Sequence, residues 1–231
     1  MYIKIKEIIK SSDTILKYLS YIYNMPFVIK NIKVLLKNNI RFNGAFLKNV
    51  KLNVKGNNNT IIILNQSRVR NTEINMWGNN GQIIIGSKCL LKNSNLWLED
   101  NKSSITIGEN TTFEQVHIAA LENYRKVTIG TDCMFSRGIE IRTGDSHAII
   151  NSFTGEKINE AKDIMIGNHV WIGANATILK GVKIEDNSVI GIGSIVTANV
   201  RNNVIVAGVP AREIKQDINW SRFNMVKQIV D

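Results

Sequence analysis

Residues 166–201 read IGNHVW-IGANAT-ILKGVK-IEDNSV-IGIGSI-VTANVR, six consecutive blocks of six. The first position is Ile166, Ile172, Ile178, Ile184, Ile190 and Val196, and the fifth is Val170, Ala176, Val182, Ser188, Ser194 and Val200. A helix repeats apolar residues every three or four, and a half-buried strand alternates by two. A period of six with β-branched anchors predicts a short strand and a corner, repeated, each anchor stacked inside a β-solenoid.

Upstream the repeat continues in a looser form. The pairs Ile85-Gly86, Ile107-Gly108 and Ile129-Gly130 are 22 residues apart, and projecting back reaches Ile63. Ile166-Gly167 follows Ile129 by 37 residues, which is 22 plus 15. Four residues after each anchor stand Ser67, Cys89, Thr111, Cys133 and Val170; six after stand Val69, Leu91, Phe113, Phe135 and Ile172. Two columns in register predict 22-residue coils that tighten to 18 residues from Ile166, the extra four widening a corner. The surplus of 15 predicts a loop over 145–162, and long excursions from a regular scaffold tend to carry function. Cys89 and Cys133 fall two coils apart, roughly 9–10 Å at the strand spacing, too far for a disulfide; both read as buried small residues.

These hexads resemble the hexapeptide-repeat acyltransferases, over about residues 135–215 and only weakly before residue 60. The resemblance implies a left-handed parallel β-helix, although the general crossover rule predicts the opposite hand. Residues 140–147, ending in Asp145-Ser146-His147, resemble the catalytic-histidine segment of sugar and capsule O-acetyltransferases, polysialic acid O-acetyltransferases included. His147 precedes Trp171 by 24 residues, and Trp171 resembles the tryptophan lining the site in those enzymes. Thioester-to-hydroxyl transfer needs a base that titrates near neutrality, which imidazole supplies. His147 is therefore the expected base and Trp171 its companion, with His117 and His169 incidental, His169 as a solvent-facing corner residue. Asp145 and Glu140 are candidates to orient the imidazole or hold the acceptor; salt bridges with Arg142 are the competing role.

The resemblance further implies acetyl-CoA bound along a groove between subunits of a homotrimer, with no metal. By motif match Ala174 and Ile192 take the backbone positions of that groove, and Thr197 and Lys215 the nucleotide end. Where the family often has Thr-Lys this chain has Thr197-Ala198, so either a phosphate contact is lost there or Lys180 or Arg212 replaces it.

The net charge of +10 is uneven: residues 1–55 hold eleven Lys or Arg against Glu7 and Asp13, a net of +9. A basic end suits an anionic polymer or a membrane surface, and no nucleic-acid motif accompanies it. Ile5, Ile8, Ile9, Ile15, Leu16, Leu19 and Ile22 predict amphipathic helices, interrupted at Pro26 and resuming over 27–36; capping the solenoid is their expected role, with peripheral association with a membrane surface the alternative. The expected organisation is a basic capping region over 1–60, the β-helix over 61–208 and a helical tail over 209–231. No apolar run reaches membrane-spanning length and no secretory signal is evident, so the expected location is cytoplasmic.

The function these features imply is acetyl-CoA-dependent O-acetylation of a sugar, foremost a capsular or other cell-surface polysaccharide. N-acetylation of a nucleotide-linked amino sugar is a second reading, weakened because residues 1–55 hold a single glycine, Gly44, and so no glycine-rich turn. A metal-dependent solenoid lyase needs three histidines converging on zinc; the pattern of such relatives includes two histidines five apart, and this chain has no such pair. A non-catalytic β-solenoid scaffold completes the alternatives.

Overall fold

The computed structural model describes residues 12–223. Ile5, Ile8 and Ile9 of the predicted capping helices, and residues 224–231 of the predicted tail, lie outside the described residues.

The chain winds into a left-handed parallel β-helix of seven coils with three faces. The first face runs from Asn39–Phe42 to Lys183–Ile184, the second from Phe46–Lys48 through Val189–Ile190 to Ile205–Gly208, and the third from Lys51–Val54 to Ile195–Val196. Ile63, Ile85, Ile107, Ile129 and Ile166 pair in one register on the first face, and Val69, Leu91, Phe113, Phe135 and Ile172 in another on the second. Both predicted columns therefore point into the core, where all ten side chains are buried. Phe113 and Phe135 stack inside it at 4.8 Å between ring centroids. Cys89 and Cys133 are free and buried, with Thr111 of the intervening coil donating to Gly130 O and accepting from Cys133 N. Burial pushes each thiol up to about 11.

The glycine after each anchor is fixed by the next coil. A Cβ on Gly108 would lie 2.5 Å from the carbonyl carbon of Gly130, and one on Gly130 would lie 2.5 Å from the carbonyl oxygen of Gly167. The following corner takes one left-handed residue per coil: Gln66, Lys88, Asn110, Asp132, His169 and Asn187. The four extra residues of the longer coils lie between the third face and the next first face. They lengthen strands there (Asn95–Leu98 and Ser104–Ile107 against Thr177–Ile178 and Lys183–Ile184) as well as the corner.

Three boundaries differ from expectation. The solenoid begins at Asn39 and not at 61, because Ile40, Leu47 and Leu52 pair in register with Ile61, Val69 and Ile74; this first coil lacks the Ile-Gly mark. Helix α1 (Asp13–Lys30) runs through Pro26 and yields at Asn31 to α2 (Ile32–Lys37). Pro26 is exposed, so the Ile22 carbonyl left without a helical donor can turn to water. The tail is not helical over 209–223: after Gly208 and Pro210 the chain reverses, and Ala211–Lys215 pairs antiparallel with Ile205–Gly208. Closing that exposed edge satisfies backbone groups that a separate helix would leave open.

Helix α1 caps the other end. Leu16, Ser20 and Asn24 form its buried face. Asn24 Nδ2 donates to Ala45 O at 2.8 Å and its Oδ1 accepts from Leu47 N at 3.0 Å, which closes the edge of the first strand of the second face. Tyr23 and Phe27 pack edge-on against Phe46 and Phe42.

Candidate active site

The 15-residue surplus leaves at the corner between the third and first faces, after Ile139–Arg142, and returns at Ile164–Ile166. It folds as a hairpin finger closed by the Ile150–Lys157 bridge, with Ile149, Ile150, Phe153 and Ile158 exposed. Buried Thr143 anchors its root by donating to Leu121 O and accepting from Leu121 N. Lys157 donates to Glu122, and this hydrogen bond holds the Glu122 carboxyl below the usual carboxylate range.

Asn159 ties the finger's base together. Its Oδ1 accepts from Ile149 N at 2.7 Å, and its Nδ2 donates to Asp145 Oδ2 and to His147 O, both at 2.8 Å. Lys180 donates to Asp145 and, at 3.0 Å, to Asn159 O. Hydrogen bonds from Lys180 and then Asn159 hold the Asp145 carboxyl below its ordinary value. The backbone of His147 is thus fixed while its side chain is exposed. Among the described residues no group hydrogen-bonds its ring.

Several predicted residues therefore take other partners. Asp145 meets Lys180 and Asn159, not the His147 ring. Glu140 Oε2 lies 2.9 Å from His117 Nδ1 on the third face, so its imidazole partner is His117 and not His147. Arg142 Nε is 3.6 Å from Glu140 Oε1, and its Nη2 donates to Ser146 Oγ at 2.8 Å, next to His147. Lys180, expected at the donor phosphates, has its ammonium engaged at the finger.

Ala174 and Ile192 stand on successive coils at the corner between the second and third faces, joined by Gly193 N donating to Ala174 O at 2.8 Å. Among the described residues nothing accepts from the N–H of either, and Ile192 is exposed. Two free donors one coil apart, about 5 Å, fit an extended chain bearing amide carbonyls. Thr197 follows on the third face and Lys215 ends the antiparallel strand; both are exposed.

Trp171 projects from the second face and is 39% exposed. The finger carrying His147 springs from the corner opposite that face. One protomer therefore holds its two expected catalytic side chains on opposite sides of the prism. His117, on the third face, and His169, at the corner between the first and second, complete a set of three histidines that do not converge.

A C-terminal strap, which no repeat or motif predicts, crosses the corner between the first and second faces. Trp220 stacks on His169 at 4.1 Å and 7°, donates from Nε1 to His169 O at 2.7 Å, and lies 6.1 Å from the Trp171 ring. Arg222 donates to Asp132 Oδ1, Thr112 Oγ1, Asn110 O and Cys133 O. His169 Nδ1 is 2.6 Å from Asp132 Oδ2, so His169 is a docking peg and not a solvent-facing corner. Burial alone would raise the Asp132 carboxyl, but hydrogen bonds from His169 and Arg222 outweigh it and hold the group low. The 37-residue offset from Asp132 to His169, the same as from Ile129 to Ile166, would have predicted that pair.

Comparison with known proteins places this geometry among relatives. A family model described as the hexapeptide repeat of succinyl-transferase matches residues 163–198. The crystal structure of the polysialic acid O-acetyltransferase OatWY is similar at a TM-score of 0.77 and 34% identity, over 82% of this chain and 92% of that one. The polySia-specific acetyltransferase NeuO gives a TM-score of 0.74 and 34% identity, over 81% and 80%. A polysialic acid O-acetyltransferase of Escherichia coli O1:K1 / APEC is 37% identical over 100 residues, 43% of this chain but only 33% of that protein. The alignment with this curated relative thus spans about a third of its length.

Proposed function

The chain belongs to the hexapeptide-repeat acyltransferases, and from that premise we propose that it transfers an acetyl group from acetyl-CoA to a hydroxyl of a cell-surface polysaccharide. The observation that carries the reading is the pairing of an exposed, backbone-fixed imidazole at His147 with a column of free N–H groups at Ala174 and Ile192. The names of the similar polysialic acid O-acetyltransferases point to an anionic, sialic-acid-containing polymer as acceptor. The +9 net charge of residues 1–55 favours such a polymer over a neutral sugar.

In this reading Ala174 and Ile192 hold the pantetheine amides, and Thr197 and Lys215 meet the nucleotide end. His147 accepts the acceptor hydroxyl's proton as that oxygen forms its bond to the thioester carbonyl carbon. A backbone N–H receives the developing oxyanion. As the carbon–sulfur bond breaks, His147 returns the proton to sulfur, leaving an acetyl ester and free coenzyme A. The activated thioester makes a covalent enzyme intermediate unnecessary.

Because His147 and Trp171 lie on opposite sides of a protomer, the site requires His147 from one copy and Trp171 from the next. A closed ring, here a homotrimer, is the simplest arrangement that repeats such a head-to-tail contact. The exposed apolar finger, with Phe153 at its tip, suits burial against that neighbour.

The test offers acetyl-CoA with polysialic acid, neutral oligosaccharides and nucleotide-linked amino sugars, and follows thiol release. Polysialic acid should give the fastest release. Release only with the amino sugars would favour N-acetylation, and an unshifted melting temperature with acetyl-CoA would favour a scaffold.

A further inference from the structure

Helix α1 buries one side against the first coil, and its other side, continued by α2, carries a second apolar pattern. Ile15, Tyr18, Ile22, Met25, Ile29, Ile32 and Leu36 follow one another at steps of three and four, and all are between 39% and 81% exposed. At about 100° per residue the five on α1, Ile15 to Ile29, fall on the side of that helix away from Leu16, Ser20 and Asn24, and Ile32 and Leu36 add exposed apolar side chains on α2. On α1 the stripe runs some 21 Å at about 1.5 Å per residue. Lys30, Lys33 and Lys37 line one edge and Lys17 the other. Tyr21 adds another exposed aromatic ring.

We propose that this stripe docks the protein on a membrane surface rich in anionic lipid. Charge selects the occupant. Between residues 12 and 55 the chain holds eight Lys or Arg and one acid, Asp13. A second copy would set lysine against lysine, whereas paired helices usually place opposite charges beside an apolar seam. An anionic lipid surface attracts the same lysines, and an apolar face with tyrosines and basic flanks suits the interface between headgroups and acyl chains. The stripe belongs to the first coil, while Ala174 and Ile192 lie in the sixth and seventh, about 24 Å or more along the prism at the strand spacing. Docking therefore leaves the donor column open. The proposal does not rest on the acetyltransferase reading.

The full chain is sedimented with vesicles of phosphatidylcholine, with and without roughly one-third phosphatidylglycerol. The wild type should bind the anionic vesicles only, and lose them as salt rises to about 0.5 M. Ile22→Asp with Ile29→Asp should weaken partitioning at least about tenfold. Lys30→Glu with Lys33→Glu and Lys37→Glu should do the same with the apolar stripe intact. Unchanged melting temperatures establish that these surface variants are folded. Wild-type partitioning by the aspartate variant, or equal binding to neutral vesicles, overturns the proposal. So does a smaller assembly for the aspartate variant in sedimentation velocity without lipid, which would give the face to a second copy.

Discussion

Opposite placement of His147 and Trp171 in one protomer makes a quantitative prediction about mixed assemblies. His147→Ala and Trp171→Ala each remove one side of every shared site, so each pure assembly should be close to inactive. In a ring of three, a seam is intact when the His147 side comes from a Trp171→Ala copy and the Trp171 side from a His147→Ala copy. Whether a ring holds two copies of one variant or two of the other, this occurs at one seam in three. Co-expression with two affinity tags and sequential purification isolates the mixed rings. Thiol release per protomer should then recover to roughly one-third of wild type. If mixed rings are no more active than their parents, both groups act within one chain and the shared site is refuted.

The strap, the core and acid each offer a further check. Arg222→Ala removes four hydrogen bonds, one of them to the Asp132 carboxylate; it should free Trp220, red-shift its emission and cost about 2 kcal/mol without unfolding the solenoid. Because Asp132 is held below its ordinary value of 3.8, its contribution is complete above about pH 4 and declines as pH falls below it. Wild type should lose the docked Trp220 emission in that acid window, while Asp132→Asn already shows released emission at neutral pH and Trp220→Phe shows no such change. Phe113→Ala deletes a fully buried ring stacked on Phe135 and should cost about 3–5 kcal/mol in denaturant unfolding; a loss below about 1 kcal/mol would mean the core is less tightly packed than described.

Much of the solenoid was legible because its period is written in side chains that pack. Ile85, Ile107, Ile129 and Ile166 recur since each rests on the anchor of the next coil, and the following glycines recur since a Cβ would strike the neighbouring backbone. The first coil was harder to read. Its Ile40, Leu47 and Leu52 lack the Ile-Gly mark, and the Lys-rich helices beside it dominate the local composition. The tail over 209–231 is expected to be helical, but the free edge of Ile205–Gly208 captures Ala211–Lys215 as a strand. The finger's position was legible from arithmetic alone, whereas the partners of Asp145, Glu140 and Lys180 were not. They depend on which corner each coil presents, a property of coil length and not of local sequence. Trp220 and Arg222 stand outside any repeat, so only tertiary contact identifies them.

The proposed transfer depends on the imidazole of His147 taking the acceptor's proton. The most direct test compares wild type and His147→Ala by thiol release with acetyl-CoA and polysialic acid, alongside coenzyme A affinity. In His147→Ala, kcat should fall about a hundredfold or more, with coenzyme A binding within a few fold of wild type. Near-normal turnover in His147→Ala would contradict it.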